Sequence, residues 1–116
     1  MTNQVFKSIK KTQVQKYFQF IIKNKFKDLE KLLNRKVKLL DGKIKISGKK
    51  RVIDFTKKIF LKKKFKFYNK KVLQDKNNKI VLCKFGLNID KKKLEIIDVF
   101  DFDKDNKILS ITVYKR

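Results

Sequence analysis

The stretch Leu94-Glu-Ile-Ile-Asp98-Val-Phe-Asp-Phe102-Asp-Lys-Asp-Asn-Lys107-Ile108-Leu-Ser-Ile-Thr-Val-Tyr114-Lys-Arg116 decides how this chain is read. It predicts two β-strands, Leu94 to Phe102 and Lys107 to Lys115, joined by the polar turn Asp103 to Asn106. Side chains alternate between the faces of a strand. Leu94, Ile96, Asp98, Phe100 and Phe102 therefore share one face, and Asp98 is the single ionisable group in an otherwise apolar row. A bare carboxylate costs several kcal/mol or more to bury, so Asp98 has to be paired, protonated or functional.

Upstream, the period of two extends back to Lys64. Phe65 to Asp75 and Lys79 to Ile89 read as two further long strands, with turns at Lys76-Asn77-Asn78 and Asp90 to Lys93. The Asn and Asp residues of these turns tolerate left-handed backbone. Before Lys64 the period is helical. A first helix is expected over Asn3 to Lys23, capped by Thr2 or Asn3, with Phe6, Ile9, Val14, Tyr17, Phe18 and Ile21 recurring along one side. A short helix from Lys27 to Asn34 follows, with Asp28 at its positive end and Leu29, Leu32 and Leu33 apolar. Val37 to Leu40 is a brief strand closed by Asp41-Gly42, and Lys43 to Ile46 is another. Ser47-Gly48 introduces a third helix, Lys49 to Phe60. The order α-α-β-β-α-β-β-β-β, with an antiparallel meander and helices gathered on one face, is an α+β architecture. The 116 residues suffice for a single domain, 1-116, with a real core.

Composition narrows the chemistry. The chain has no histidine, so acid–base work falls to Asp, Glu, Lys or Tyr. One cysteine, Cys83, forms no internal disulfide and gives no metal-ligand spacing; it reads as a core residue, and no metal or cofactor is expected. No apolar run approaches the roughly 20 residues that cross a bilayer, and the first ten residues interrupt their apolar positions with lysine. A cytoplasmic protein without a membrane partner is the expectation.

The formal charge of +23 points towards polyanions. Its make-up points elsewhere. Only three of the 34 basic residues are arginine, and Ala and Pro are absent while Lys, Ile, Asn and Phe abound. Codon bias in an AT-rich genome produces that pattern without selection for nucleic acid. The lysines are spread along the chain, and sequence-specific readers favour the bidentate fork of arginine. Nucleic acid is therefore not the expected partner, although non-specific binding at low salt is.

Element order, the loop from Asp41-Gly42 to Gly48, and the ending Ile-Asp98-Val-Phe-Asp-Phe102 with Asn106-Lys-Ile108 together resemble the NTF2-like superfamily, its SnoaL-like polyketide cyclases and ketosteroid isomerases in particular. The resemblance covers nearly the whole chain. It implies a cone: a curved antiparallel sheet wrapped around a long first helix, with a pocket at the open end. In ketosteroid isomerases a Tyr in the first helix, an Asp ending the first strand and an Asp in the penultimate strand surround that pocket. Tyr17, Asp41 and Asp98 take those places here. The resemblance implies that Asp41 shuttles a proton while Tyr17 and a protonated Asp98 form an oxyanion hole, a role the ketosteroid isomerases exemplify. Scytalone dehydratase-like chemistry needs histidines this chain lacks, and epoxide hydrolase-like chemistry needs an Asp-Arg-Asp set for which no Arg is placed.

Plainer readings stand beside these. Tyr17 fits a helix-face core position, and Asp41-Gly42 fits a tight hairpin turn that leaves Asp41 exposed. Tyr68 and Tyr114 find no place at the site, and the lysine runs at 62–64 and 91–93 read as solvated loop ends. The expected function is binding of a hydrophobic small molecule with acid–base turnover of isomerase or cyclase type. The alternatives are a non-catalytic binding or scaffold domain and a basic nucleic-acid-binding protein. Related domains dimerise through their sheets. With Ile97, Val99, Leu109, Ile111 and Val113 placed opposite Asp98 or its neighbours, a homodimer is expected.

Overall fold

The computed structural model describes residues 8–75, 77 and 79–116. Helix α1 (Ile9–Ile22) starts at Ser8, whose hydroxyl accepts the Lys11 N–H at 3.2 Å. The caps expected at Thr2 or Asn3 lie outside the described residues, as do Lys76 and Asn78 of one expected turn. Helix α2 (Phe26–Lys31) ends before Asn34, because Leu33 already belongs to the next strand. Strand β1 (Leu33–Asp41) is correspondingly longer than the expected Val37 to Leu40. Its polar opening, Asn34-Arg35-Lys36, carries no apolar alternation, and its pairing is irregular between Leu33 and Lys38. Strand β2 (Ile44–Ser47) returns through a two-residue turn in which Gly42 has φ +61°, a conformation that favours glycine. Helix α3 (Lys49–Phe60) and strands β3 (Phe65–Gln74), β4 (Ile80–Ile89), β5 (Lys92–Phe102) and β6 (Ile108–Lys115) complete the expected order. The β4–β5 turn is tighter than expected: Asp90 and Lys91 both take positive φ, and Ile89 pairs directly with Lys92.

The strands form one curved, unclosed sheet in the order β2-β1-β6-β5-β4-β3. The meander β3 to β6 is antiparallel throughout. The sheet then continues through a parallel pairing of β6 with β1, which joins distant parts of the sequence. Helix α1 lies in the concavity against β3 and β4, and α3 covers β1 and β2. The Phe18 ring meets Phe67 and Phe85 edge to face, with centroids 5.1 and 5.0 Å away. Such pairs add to the burial of apolar area that holds the sheet on the helix.

Register fixes which side chains face inward. Ile96, Asp98 and Phe100 of β5 are all buried, as the alternation predicted. Ile111 and Val113 are a correction. They pair with Phe100 and Asp98, so they occupy the concave face rather than the outer one. Ile111 is fully buried. Among the described residues no helix is long and apolar enough to cross a membrane.

Candidate functional site

Three neighbouring strands place one residue each in a common row. Asp41 of β1 pairs with Val113 of β6, and Val113 pairs with Asp98 of β5. The two aspartates therefore face the same side with Val113 between them, their backbones roughly 10 Å apart by ordinary strand spacing. They line a cavity of about 170 Å³ bounded by α1, α3 and the concave sheet. Most of its wall is hydrocarbon, supplied among others by Ile21, Phe55, Ile59, Phe60, Leu87 and Leu94. Tyr17 also lines it. All three residues singled out in the sequence thus reach one cavity.

Asp98 is 5% exposed and forms no hydrogen bond or ion pair among the described residues. No fully enclosed side-chain oxygen or nitrogen lacks a partner among those residues, so the Asp98 carboxyl keeps its polar edge open to the cavity. Burial pushes its pKa up to about 8 from an ordinary 3.8. The Asp41 charge adds to the rise and the Lys115 ammonium opposes it. At neutral pH Asp98 is mainly a neutral acid that can donate a hydrogen bond.

Tyr17 is buried on α1, its ring edge to face with Phe18 and Phe100, both at 5.2 Å. Burial, and then the Asp98 charge, raise its pKa, so the phenol stays protonated. Its hydroxyl likewise has no protein hydrogen-bond partner among the described residues. The core reading of Tyr17 is thus correct for its ring, while the hydroxyl opens on the cavity.

Asp41 does sit beside a tight hairpin turn, yet its side chain is only 12% exposed. Its Oδ2 is 3.0 Å from the Lys115 Nζ. Lys115 is a charged lining residue that the sequence did not single out. The alternation Ile111, Val113, Lys115 carries it onto the concave face, but only the parallel β1–β6 pairing shows what it meets. The Thr56 hydroxyl, also in the wall, donates to the Val52 carbonyl oxygen at 2.8 Å.

The remaining candidates lie elsewhere. Cys83 is fully buried beside Asp98 in the β4–β5 pairing. Burial pushes its thiol up to about 12, with Asp98 contributing and Lys70 opposing, so it remains a neutral core side chain. Tyr68 and Tyr114 point to the outer face, Tyr68 lying across Gly86. Among the described residues no group of three or more His, Cys, Asp or Glu side chains is placed to hold a metal ion.

This arrangement supplies two neutral donors, Tyr17 and Asp98, and the Asp41 carboxylate in the wall of a mostly apolar cavity. Such a set can stabilise developing charge on an oxygen while a nearby base handles a proton.

No protein-family model matches the sequence, and no curated protein sequence matches it either. Solved structures do match. An NTF2-like protein of unknown function from Cytophaga hutchinsonii superposes with a TM-score of 0.80 at 18% identity, covering 96% of this chain and 93% of that one. A steroid delta-isomerase from Pseudomonas aeruginosa superposes with a TM-score of 0.78 at 17% identity, covering 96% and 82%. A candidate SnoaL-like polyketide cyclase from Shewanella putrefaciens gives 0.79 at 14% identity, covering 97% and 83%. These likenesses show the fold: the chain is an NTF2-like cone.

Proposed function

We propose that this NTF2-like cone binds a small apolar carbonyl compound and moves a proton beside its carbonyl group. The observation that carries the reading is the pair of polar groups without a partner among the described residues, Tyr17 and Asp98, opening into a mostly apolar cavity. Buried polar groups are ordinarily hydrogen-bonded. A ligand oxygen between the phenol and the carboxylic acid would meet both requirements at once.

In this reading Asp41 is the base. Its carboxylate takes a proton from the carbon next to the carbonyl, and the C–H electron pair becomes the enolate double bond. Charge moves to the ligand oxygen, where the Tyr17 and Asp98 O–H groups hold it. The proton then returns to another carbon of the same molecule, so nothing is oxidised or reduced and the product is an isomer. Each such donor is worth about 10²–10³ in rate. The test is conversion of a β,γ-unsaturated cyclic ketone to its conjugated isomer, followed by absorbance. Wild type should turn over, Asp41→Asn should abolish the rate, and Tyr17→Phe and Asp98→Asn should each lower it by about that factor. Equal rates for wild type and all three variants would refute the assignment.

One observation favours a second reading, a binding domain without turnover. The Asp41 carboxylate already contacts Lys115, and it must leave or share that contact to reach a ligand carbon. Ligand binding that depends on Tyr17 and Asp98, without isomerisation of any carbonyl compound, would select this reading.

A further inference from the structure

We infer that the ligand of this cavity is a single-ring or equally small compound with one hydrogen-bond-accepting oxygen, not a steroid or a polycyclic polyketide. The inference rests on the reading above, that Tyr17 and Asp98 receive a ligand oxygen, and it adds the size and polarity of what is bound.

Size comes from the volume. The cavity holds about 170 Å³. An engineered cavity of about 150 Å³ lined by aliphatic and aromatic side chains takes up benzene, whereas sites for drug-sized ligands run from about 300 Å³ upward. The limit is set by aromatic packing. Phe18 is wedged against Phe67, Phe85 and Phe100, and Phe60 closes the α3 side against Phe65 and Phe67 with centroids at 4.8 and 5.6 Å. A fused tetracyclic skeleton would have to displace several of these rings, and close-packed interiors resist such displacement.

Polarity comes from counting which polar groups in the wall are still open. Thr56 donates to the Val52 carbonyl, and Asp41 and Lys115 hold each other. Tyr17 and Asp98 remain, and both offer a proton. The wall thus accommodates one acceptor oxygen at Tyr17 and Asp98 and hydrocarbon over most of the rest, with the Asp41–Lys115 pair as its other polar patch. A second polar substituent against the hydrocarbon part of the wall, away from Asp41 and Lys115, would lose its water without gaining a partner, which is costly.

Phenols test this directly, because a phenolic oxygen mimics an enolate oxygen and no turnover is needed. Binding of phenol, 2-naphthol and estradiol to the intact protein is measured by calorimetry, alongside Tyr17→Phe, Asp98→Asn and Ile59→Ala. The expected result is that phenol binds at least about tenfold more tightly than 2-naphthol, a difference of about 1.4 kcal/mol, and that estradiol does not bind. Ile59→Ala, which enlarges the wall, should narrow the gap between phenol and 2-naphthol. Tyr17→Phe and Asp98→Asn should each weaken phenol. Estradiol or 2-naphthol binding wild type as tightly as phenol, with loss in Tyr17→Phe and Asp98→Asn, would overturn the size limit while sparing the proposed site. Phenol binding that ignores both substitutions, or no binding by any of the three compounds, would overturn the proposed site and this inference with it.

Discussion

Asp41 and Asp98 face the same cavity from one row of the sheet, but only Asp41 has a cation beside it, the Lys115 ammonium at 3.0 Å. Asp98, 5% exposed and without such a contact among the described residues, has its pKa pushed up to about 8 by burial. A carboxyl group kept neutral by burial can donate a hydrogen bond, a role that a chain without histidine has few other side chains to fill.

Stability should record the state of Asp98. Its folded pKa is raised, to about 8 from 3.8, so the native chain binds the proton more tightly than the unfolded chain. The stabilisation is complete below pH 3.8 and is lost as pH rises towards about 8. Each pH unit in that window removes about 1.4 kcal/mol. Asp98→Asn lacks this loss. In urea melts the variant should match wild type near pH 4 and become progressively more stable than it by about pH 8. A variant clearly less stable than wild type at the upper pH would mean that Asp98 is a structural ion-pair partner instead.

Lys115 should tune Asp98 from a distance. The ammonium opposes the rise in the Asp98 pKa, so Lys115→Met should move the Asp98 titration further upward. The ion pair itself should add little to stability, about 1 kcal/mol or less, because the lysine side chain is 48% exposed. A downward movement, or none, would show that Lys115 does not act on the site.

Much of this geometry was legible in the sequence. The β5 alternation placed Asp98 among Ile96 and Phe100 because strand period alone decides that. Tyr17 followed from helical spacing with Phe18 and Ile21, and its pocket role from resemblance. Val113 and Lys115 were not legible in the same way. Their face depends on pairing Asp98 with Val113 across a turn, and the partner of Lys115 depends on the parallel β1–β6 contact between distant segments. Similarly, the first half of β1 has no apolar alternation; it is a strand because β6 and the Asp103 turn receive it, with Asn34 donating to the Asp103 carboxylate at 2.6 Å.

The outer face of the sheet is the proposed dimer surface. With Ile111 and Val113 turned inward, the apolar cover there comes instead from a row running Leu40, Thr112, Val99, Leu82 and Leu73 across five strands. Leu73 is 52% exposed at its end, and Tyr114 lies nearby on the same face. Such a surface needs cover. Light scattering at physiological salt should give twice the 14.0 kDa chain mass, and Leu82→Lys should reduce it to one chain. A wild-type monomer under those conditions would contradict the proposal.

The charge should show itself only as loose adhesion. Binding to DNA or RNA should be weak, indifferent to sequence, and should collapse between low and physiological salt as counterion release fades. A sequence-selective, submicromolar complex at physiological salt would instead make nucleic acid the partner.

The most direct test is the titration of one carboxyl group. Carbon-13 NMR of protein labelled at the aspartate side chains, with Asp98→Asn to assign the signal, follows Asp98 itself through the pH range. The protonated form should persist through neutrality, with a midpoint near 8. A midpoint near the ordinary 3.8 would mean that Asp98 faces its cavity as a carboxylate, and neither the hydrogen-bond donor nor the oxyanion hole built on it would exist.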